Sequence, residues 1–131
     1  MGMVEDVGAY LDTNSTRFAA GTNLFYNFMP SEPSRATSIV ETGGSPPARA
    51  FGSTGPSWEQ GRVQITCRST SSQQARADAD AAFALLEAVE NETLSSNYFL
   101  RISAAQSVFL LERDAQGRPV FACNYDVWRV R

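Results

Sequence analysis

The feature that most restricts this chain is an abrupt change of hydrophobic period near its middle. From Arg62 to Ser69 apolar and polar residues alternate, with Val63, Ile65 and Cys67 on one side and Arg62, Gln64, Thr66 and Arg68 on the other. Successive side chains of a strand point to opposite faces, so the run predicts a strand buried on one side only. The period then lengthens. Ser71, followed three residues on by Gln74, is a capping box. Beyond it Ala75, Ala79, Ala82, Phe83, Leu86 and Val89 form the stripe of an amphipathic helix. Gln73, Arg76, Asp78, Asp80, Glu87 and Glu90 are expected to face water. A one-faced strand leading straight into a one-faced helix has a simple solution, in which the helix covers the sheet.

The flanking segments extend this picture. Met3, Val4, Val7, Gly8 and Leu11 share one side at helical spacing, with Glu5 and Asp6 in the first turn, where the helix dipole favours anions. A short helix ending near Thr13 and Asn14 is expected. Asn23 to Phe28 reads as a strand with Leu24, Tyr26 and Phe28 on one face and Phe25 on the other, and Ser38 to Glu41 as a second, short strand. After the central helix come strands over Tyr98–Ile102, Ser107–Arg113 and Val120–Val130. The last two are joined by the turn Asp114-Ala115-Gln116-Gly117, in which Gly117 supplies a positive φ. Phe121, Cys123, Tyr125 and Val127 share one face of the last strand, and Trp128 lies on the other. The sum is an α+β fold: two helices on one face of a mixed or antiparallel sheet, in one domain spanning 1–131.

Between the second and third strands lies 42–61, rich in Gly, Pro, Ser and Thr and without periodicity. A structureless segment of this length is uncommon inside a compact domain and is usually functional or disordered. It carries Arg49, Phe51 and Trp58, so it reads either as an extended interaction loop or as a flexible connection.

Catalytic chemistry finds little to work with. The chain has no histidine, which removes the usual general base near neutral pH and the commonest metal ligand. It lacks a phosphate-cradling GxxxxGK[ST] or GxGxxG, and a GxSxG nucleophile elbow. No enzyme, metal or cofactor is expected. Cys67 and Cys123 have no metal-type spacing and read as reduced core residues; a disulfide would require an oxidising compartment. The first twenty residues carry Glu5, Asp6 and Asp12 and no long apolar run, so an intracellular protein without a membrane span is expected. The net charge is −3, too mild for a DNA-gripping surface. All eleven basic residues are arginine, which reflects either codon bias or a use of guanidinium forks at interfaces.

Binding features are clearer. Arg62, Gln64 and Arg68 mark the outer face of the alternating strand. Trp128 stands opposite the core, either over a second small core or in an interface, since Trp and Arg are enriched at interface hot spots. Arg113 and Asp114 sit at the tip of the last hairpin.

Three stretches carry a resemblance. They are Val63-Gln64-Ile65-Thr66-Cys67-Arg68 before an alanine-rich helix, the long run from Ala105 to Tyr125, and the earlier Asn23-Leu24-Phe25-Tyr26 and Glu41-Thr42-Gly43-Gly44-Ser45-Pro46-Pro47. Over nearly the whole chain the sequence resembles the small bacteriophage minor capsid or tail terminator proteins of the head–tail neck. The resemblance implies helices on a β-sheet and a homohexameric ring that caps the tail tube, ends its polymerisation and docks to the head-side connector. It also implies a lumen through which DNA passes, assembly in the host cytoplasm, a place in the virion, and no catalytic residue or cofactor. Another neck protein, a stopper or head-completion protein, is the competing expectation. Arg49, Phe51, Trp58, Arg62, Gln64, Arg68, Arg113, Asp114 and Trp128 are the candidate contacts between subunits or to partners.

Overall fold

A computed structural model of the protein describes residues 2–49 and 57–130, with backbone alone at 45–49 and 57–58. Helix α1 spans Met3–Asn14 and α2 Ser72–Glu87. The strands are β1 (Leu24–Tyr26), β2 (Ala36–Arg49), β3 (Ser57–Arg68), β4 (Glu90–Leu94), β5 (Asn97–Ala104), β6 (Phe109–Arg113) and β7 (Pro119–Val130). They form one mixed sheet in the order β1-β2-β3-β7-β5-β4, with β6 also paired to β7. Only β1 runs parallel to its neighbour β2. The long β7 therefore organises the sheet: β3 lies along one edge, while β6 and β5 share the other.

Both helices close over one side of this curled sheet. The predicted stripe of α1, Met3, Val4, Val7, Gly8 and Leu11, is buried. The stripe of α2 is buried at Ala75, Ala79, Ala82 and Leu86, and Phe83 is half-buried. They join Ile39, Val63, Ile65, Cys67, Phe99, Ile102, Cys123, Tyr125 and Val127 in a single core. The predicted cap is present: Ser71 Oγ accepts from the Gln74 backbone N–H at 3.3 Å, satisfying one of the orphan donors of the first turn.

Four expectations need correction. The segment 42–61 is not one long loop, because β2 runs on to Arg49 and β3 begins at Ser57; only 50–56 falls outside the described residues. Hydrogen bonds to β3 carry β2 through its poor β-formers, with register shifts between Glu41 and Gly43 and between Ser45 and Ala48. Pro46 and Pro47, which cannot fill a ladder with N–H donors, fall within the second shift. Phe28 does not share the core face of β1, since Asn27 takes φ 64° and Phe28 is 57% exposed. Asp78 does not face water: its side chain is 3% exposed and is held by two arginines. Finally, β4 is a strand that the pattern did not announce. It is polar except for Leu94 and is tied to β5 by a two-residue turn, Ser95–Ser96.

Candidate interaction surface

Cross-strand pairs on β3 and β7 place the predicted residues. Arg62 lies opposite Asp126, Gln64 opposite Asn124, and Gln60 opposite Trp128. Residues directly opposite each other share a face, and the neighbouring Val63, Ile65, Tyr125 and Val127 point into the helix-covered core. The other face therefore gathers Arg62, Gln64, Asn124, Asp126 and Trp128. On the far side of β7, Arg101 lies opposite Trp128 and Ser103 opposite Asp126. Arg62 is exposed and its Nε donates to Asp126 Oδ1 at 3.0 Å. That hydrogen bond and the carboxylate charge hold the Arg62 guanidinium above its ordinary pKa. Gln64 and Trp128 are half-buried. The structure brings these three together on one polar, tryptophan-bearing surface.

The same face is closed at its other end. Ala36, Ser38, Thr66, Arg68, Val120 and Ala122 lie on it and are all buried. The cover is the segment between β1 and β2, held by two arginines. Arg68 donates to the Ser34 and Pro33 carbonyl oxygens at 3.1 and 2.6 Å. Arg118 donates to the Ser31 carbonyl and to Ser34 Oγ at 2.9 and 3.3 Å. Arg68 is thus not an outward-facing contact. At 3% exposure it is spent inside the subunit, and the strand is buried on both faces at this end. Burial, reinforced by the nearby Arg118, pulls the Arg68 pKa below its usual value.

Asp114 balances this pair. Its carboxylate accepts from the Gln116 and Arg118 backbone N–H groups at 3.0 and 2.9 Å and from Arg118 Nε at 2.7 Å. Arg68 Nε lies 3.9 Å away. Burial works to raise the Asp114 pKa, but the hydrogen bonds from Arg118 and Gln116 outweigh it and bring it below the usual carboxylate range. Asp114 is therefore a turn former that locks the β6–β7 hairpin, with Gly117 at φ 77°. Arg113 is exposed and donates to the Gly117 carbonyl at 3.0 Å.

Of the remaining candidates, Arg49 pairs with Ser57, and Trp58 pairs with Ala48 on one side and Val130 on the other. Both lie in the distal half of the β2–β3 hairpin, away from Arg113 and Asp114. Phe51 lies outside the described residues. Sequence reasoning missed two buried carboxylates. Asp6 is fully buried and accepts from Asn97 Nδ2 at 2.7 Å and from Arg129 Nη1 at 3.2 Å. Burial raises its pKa, against the pull of Asn97 and Arg129. Asp78 accepts from Arg17 and from both Nε and Nη2 of Arg35, each at 2.9 Å. Helical spacing placed both acids, but nothing local announced their distant arginines.

Among the described residues no cluster of three or more His, Cys, Asp or Glu could hold a metal. No described helix is long and apolar enough to cross a membrane. Hollows of about 450 and 260 Å³ surround the C-terminal end of α1.

A family model described as bacteriophage tail terminator protein matches residues 5–129. The chain belongs to the bacteriophage tail terminator family. No curated protein matches it. Among solved structures it is similar to a chain of the virion of a native gene transfer agent particle, at 15% identity and TM-score 0.63, covering 98% of this chain and 95% of that one. A second solved protein, carrying no functional description, is similar at 13% identity and TM-score 0.57, with 99% and 97% covered. At such identities the two structures speak for the fold, while the family match speaks for a structural protein of the phage tail and virion.

Proposed function

We propose that this tail terminator acts as a ring of six copies that caps the tail tube, ends its polymerisation and docks to the head-side connector while DNA passes through the lumen. The carrying observation is the family match across residues 5–129. The surface chemistry fits a binding role, because the open face around Arg62, Gln64 and Trp128 is polar and carries an arginine and a tryptophan, residue types enriched at interface hot spots. A ring needs heterologous contacts, one patch of each subunit meeting a different patch of the next. In this reading the distal β2–β3 hairpin, with Arg49, Phe51 and Trp58, and the face of Arg62, Gln64 and Trp128 supply partner contacts. Arg113, at the hairpin tip, faces an axial partner. Arg68 and Asp114 act indirectly by fixing the shape of that tip.

The test is solution mass by light scattering across a concentration series, with and without purified tail tubes. A hexamer throughout, or a monomer that becomes a hexamer on tubes, supports the reading. A monomer that ignores tubes at every concentration rejects it and favours a head-side stopper. Trp58→Ala is expected to weaken ring formation or tube docking; an unchanged ring and unchanged tail joining would remove the hairpin from the interface.

A further inference from the structure

The segment 28–34, between β1 and β2, covers one end of the sheet face opposite the helices, yet none of its residues is itself buried. Its one aromatic side chain, Phe28, is 57% exposed, and Met29 and Pro30 are only half-buried. What lies beneath is small or polar: Ala36, Ser38, Thr66, Val120 and Ala122 stand on that face. Apolar burial, the main force that holds a segment down, is therefore slight here. The Ser38 hydroxyl under the segment is buried without a hydrogen-bond partner, a penalty that contact with water would remove.

Polar bonds pin the segment instead, and their placement divides it into two hinges and a latch. At its start the Asn27 N–H donates to the Ile39 carbonyl oxygen at 2.8 Å, and Asn27 Oδ1 accepts from the Glu41 N–H at 3.2 Å. At its end Arg35 grips both oxygens of Asp78 at 2.9 Å. Between these fixed points, among the described residues, the hydrogen bonds that reach 28–34 come from two guanidiniums. Arg68 donates to the Pro33 and Ser34 carbonyl oxygens, and Arg118 to the Ser31 carbonyl oxygen and Ser34 Oγ. Both arginines are nearly covered, at 3% and 6% exposure. They share one carboxylate, Asp114, which lies 2.7 Å from Arg118 and 3.9 Å from Arg68; Glu32, exposed on the segment itself, adds a second negative charge toward Arg68. Two like charges shut away from water around one close carboxylate lose hydration that an open state returns to them.

We propose that 28–34 is a strap that lifts from the sheet as a unit while the core stays folded, with Arg68 and Arg118 as its latch and Asp114 as the group that sets the latch. Asp114 also closes the β6–β7 turn by accepting from the Gln116 and Arg118 N–H groups, so a contact made at that hairpin tip reaches the strap through Arg118. Lifting uncovers the row of Ser38, Thr66 and Ala122 and joins it to the open face of Gln64 and Asn124, two residues further along β3 and β7. The device goes beyond the ring reading and does not depend on it.

The experiment uses the full chain carrying Ser38→Cys, labelled with iodoacetamide over a urea series, with each modified peptide followed by mass spectrometry. Cys67, fully buried on the opposite, helix-covered face, is the internal clock for opening of the core. The thiol placed at position 38 is expected to react about tenfold or more faster than Cys67, an opening free energy lower by about 1.4 kcal/mol or more. Its rate should also depend less steeply on urea, because lifting the strap exposes less surface than unfolding. Thr66→Cys, directly opposite Ser38, is the second probe and should behave alike. Adding Asp114→Asn is expected to speed labelling of either probe by about tenfold relative to Cys67, whereas Asp80→Asn, on the exposed side of α2, should leave that ratio unchanged. Probes that react at the rate of Cys67 with the same urea dependence show that the segment leaves only when the whole chain unfolds, and overturn the strap. Fast probes whose ratio to Cys67 is unmoved by Asp114→Asn overturn the latch and its link to the hairpin tip.

Discussion

Asp78→Asn is the most informative single perturbation of the fold. The Asp78 carboxylate, 3% exposed, receives three guanidinium hydrogen bonds, one from Arg17 and two from Arg35, all at 2.9 Å. It thereby ties α2 to the segment after α1 and to the segment leading into β2. Asparagine keeps the shape but loses the charge, and its amide N–H groups face a donor on at least one side. Removing one partner of a buried ion pair typically costs about 3–5 kcal/mol. Both arginines are roughly two-fifths exposed, at 41% and 42%, so water recovers part of their hydration. We therefore expect a loss of about 2–3 kcal/mol. At about 2.1 cal/mol/K per residue, unfolding this chain carries an entropy of roughly 0.28 kcal/mol/K. The expected fall in Tm is then about 7–11 °C.

The assay is thermal unfolding at neutral pH followed by circular dichroism, with Asp80→Asn as the internal control. Asp80 is 56% exposed and pairs with Arg76 at 3.6 Å along the same helix, a contact worth about 0.5 kcal/mol or less. Its loss should move Tm by no more than about 2 °C. Adding Arg35→Ala to Asp78→Asn should cost much less than the sum of the single changes, because the two residues share one interaction. Equal Tm values for Asp78→Asn and Asp80→Asn would refute the reasoning and show that the buried cluster pins nothing.

Three further outcomes are expected. Ser95 and Ser96 make the β4–β5 turn with φ 49° and 75°, so Ser96→Gly should stabilise the protein by about 0.5–1 kcal/mol, read as a higher Tm. Gly44 sits at φ 140°, where an added Cβ would run into the Gln60 carbonyl oxygen, so Gly44→Ala should destabilise the β2–β3 hairpin by at least about 1–3 kcal/mol, read by urea unfolding and by faster amide exchange in 41–45 and 59–62. The folded state holds the Asp6 proton more tightly than the unfolded chain, so the wild type should lose stability relative to Asp6→Asn as pH rises from 3.8 through the raised pKa, measured as the difference between paired melts from pH 3.5 to 6.5.

The sequence made legible whatever depends on neighbours along the chain. Val63, Ile65 and Cys67 are inward because alternation is a local property of a strand, and Ser71 caps α2 because the Gln74 N–H is three residues away. What stayed hidden depends on distant partners. Alternation gives Arg68 a face but cannot say that residues 33 and 34 will return to cover it. Helical spacing puts Asp78 off the main stripe, yet it is buried because Arg17 and Arg35 converge on it. β2 read as ending at Glu41 because Gly43, Gly44, Pro46 and Pro47 are poor β-formers, whereas strand propensity is set mainly by pairing context. Of the candidate site, the outward faces of Arg62 and Gln64 and of Trp128 were each legible, but the pairing of β3 with β7 that joins them was not. The bulge at Leu111 and the turn at Asn27 were not, since each is a register irregularity that only the paired strand reveals.

The arginine-only basic composition also finds a physical use here. Arg17 and Arg35 meet Asp78, Arg68 and Arg118 converge on Asp114, Arg129 bridges Asp6 and Glu59, and Arg62 meets Asp126. Several of these contacts need a planar fork: Arg35 spans both oxygens of Asp78, and Arg118 reaches a carboxylate, a carbonyl and a hydroxyl at once. A lysine ammonium cannot reproduce that geometry. Beside the two readings of codon bias and forks at interfaces stands a third use, because most of the described guanidiniums join segments of their own subunit. A protein whose work is to offer fixed surfaces to several neighbours needs those surfaces held in place before contact, since flexibility lost on binding weakens association. The buried carboxylates supply that rigidity at both ends of the sheet, by tying Arg17 and Arg35 to α2 through Asp78 and Arg129 to α1 through Asp6.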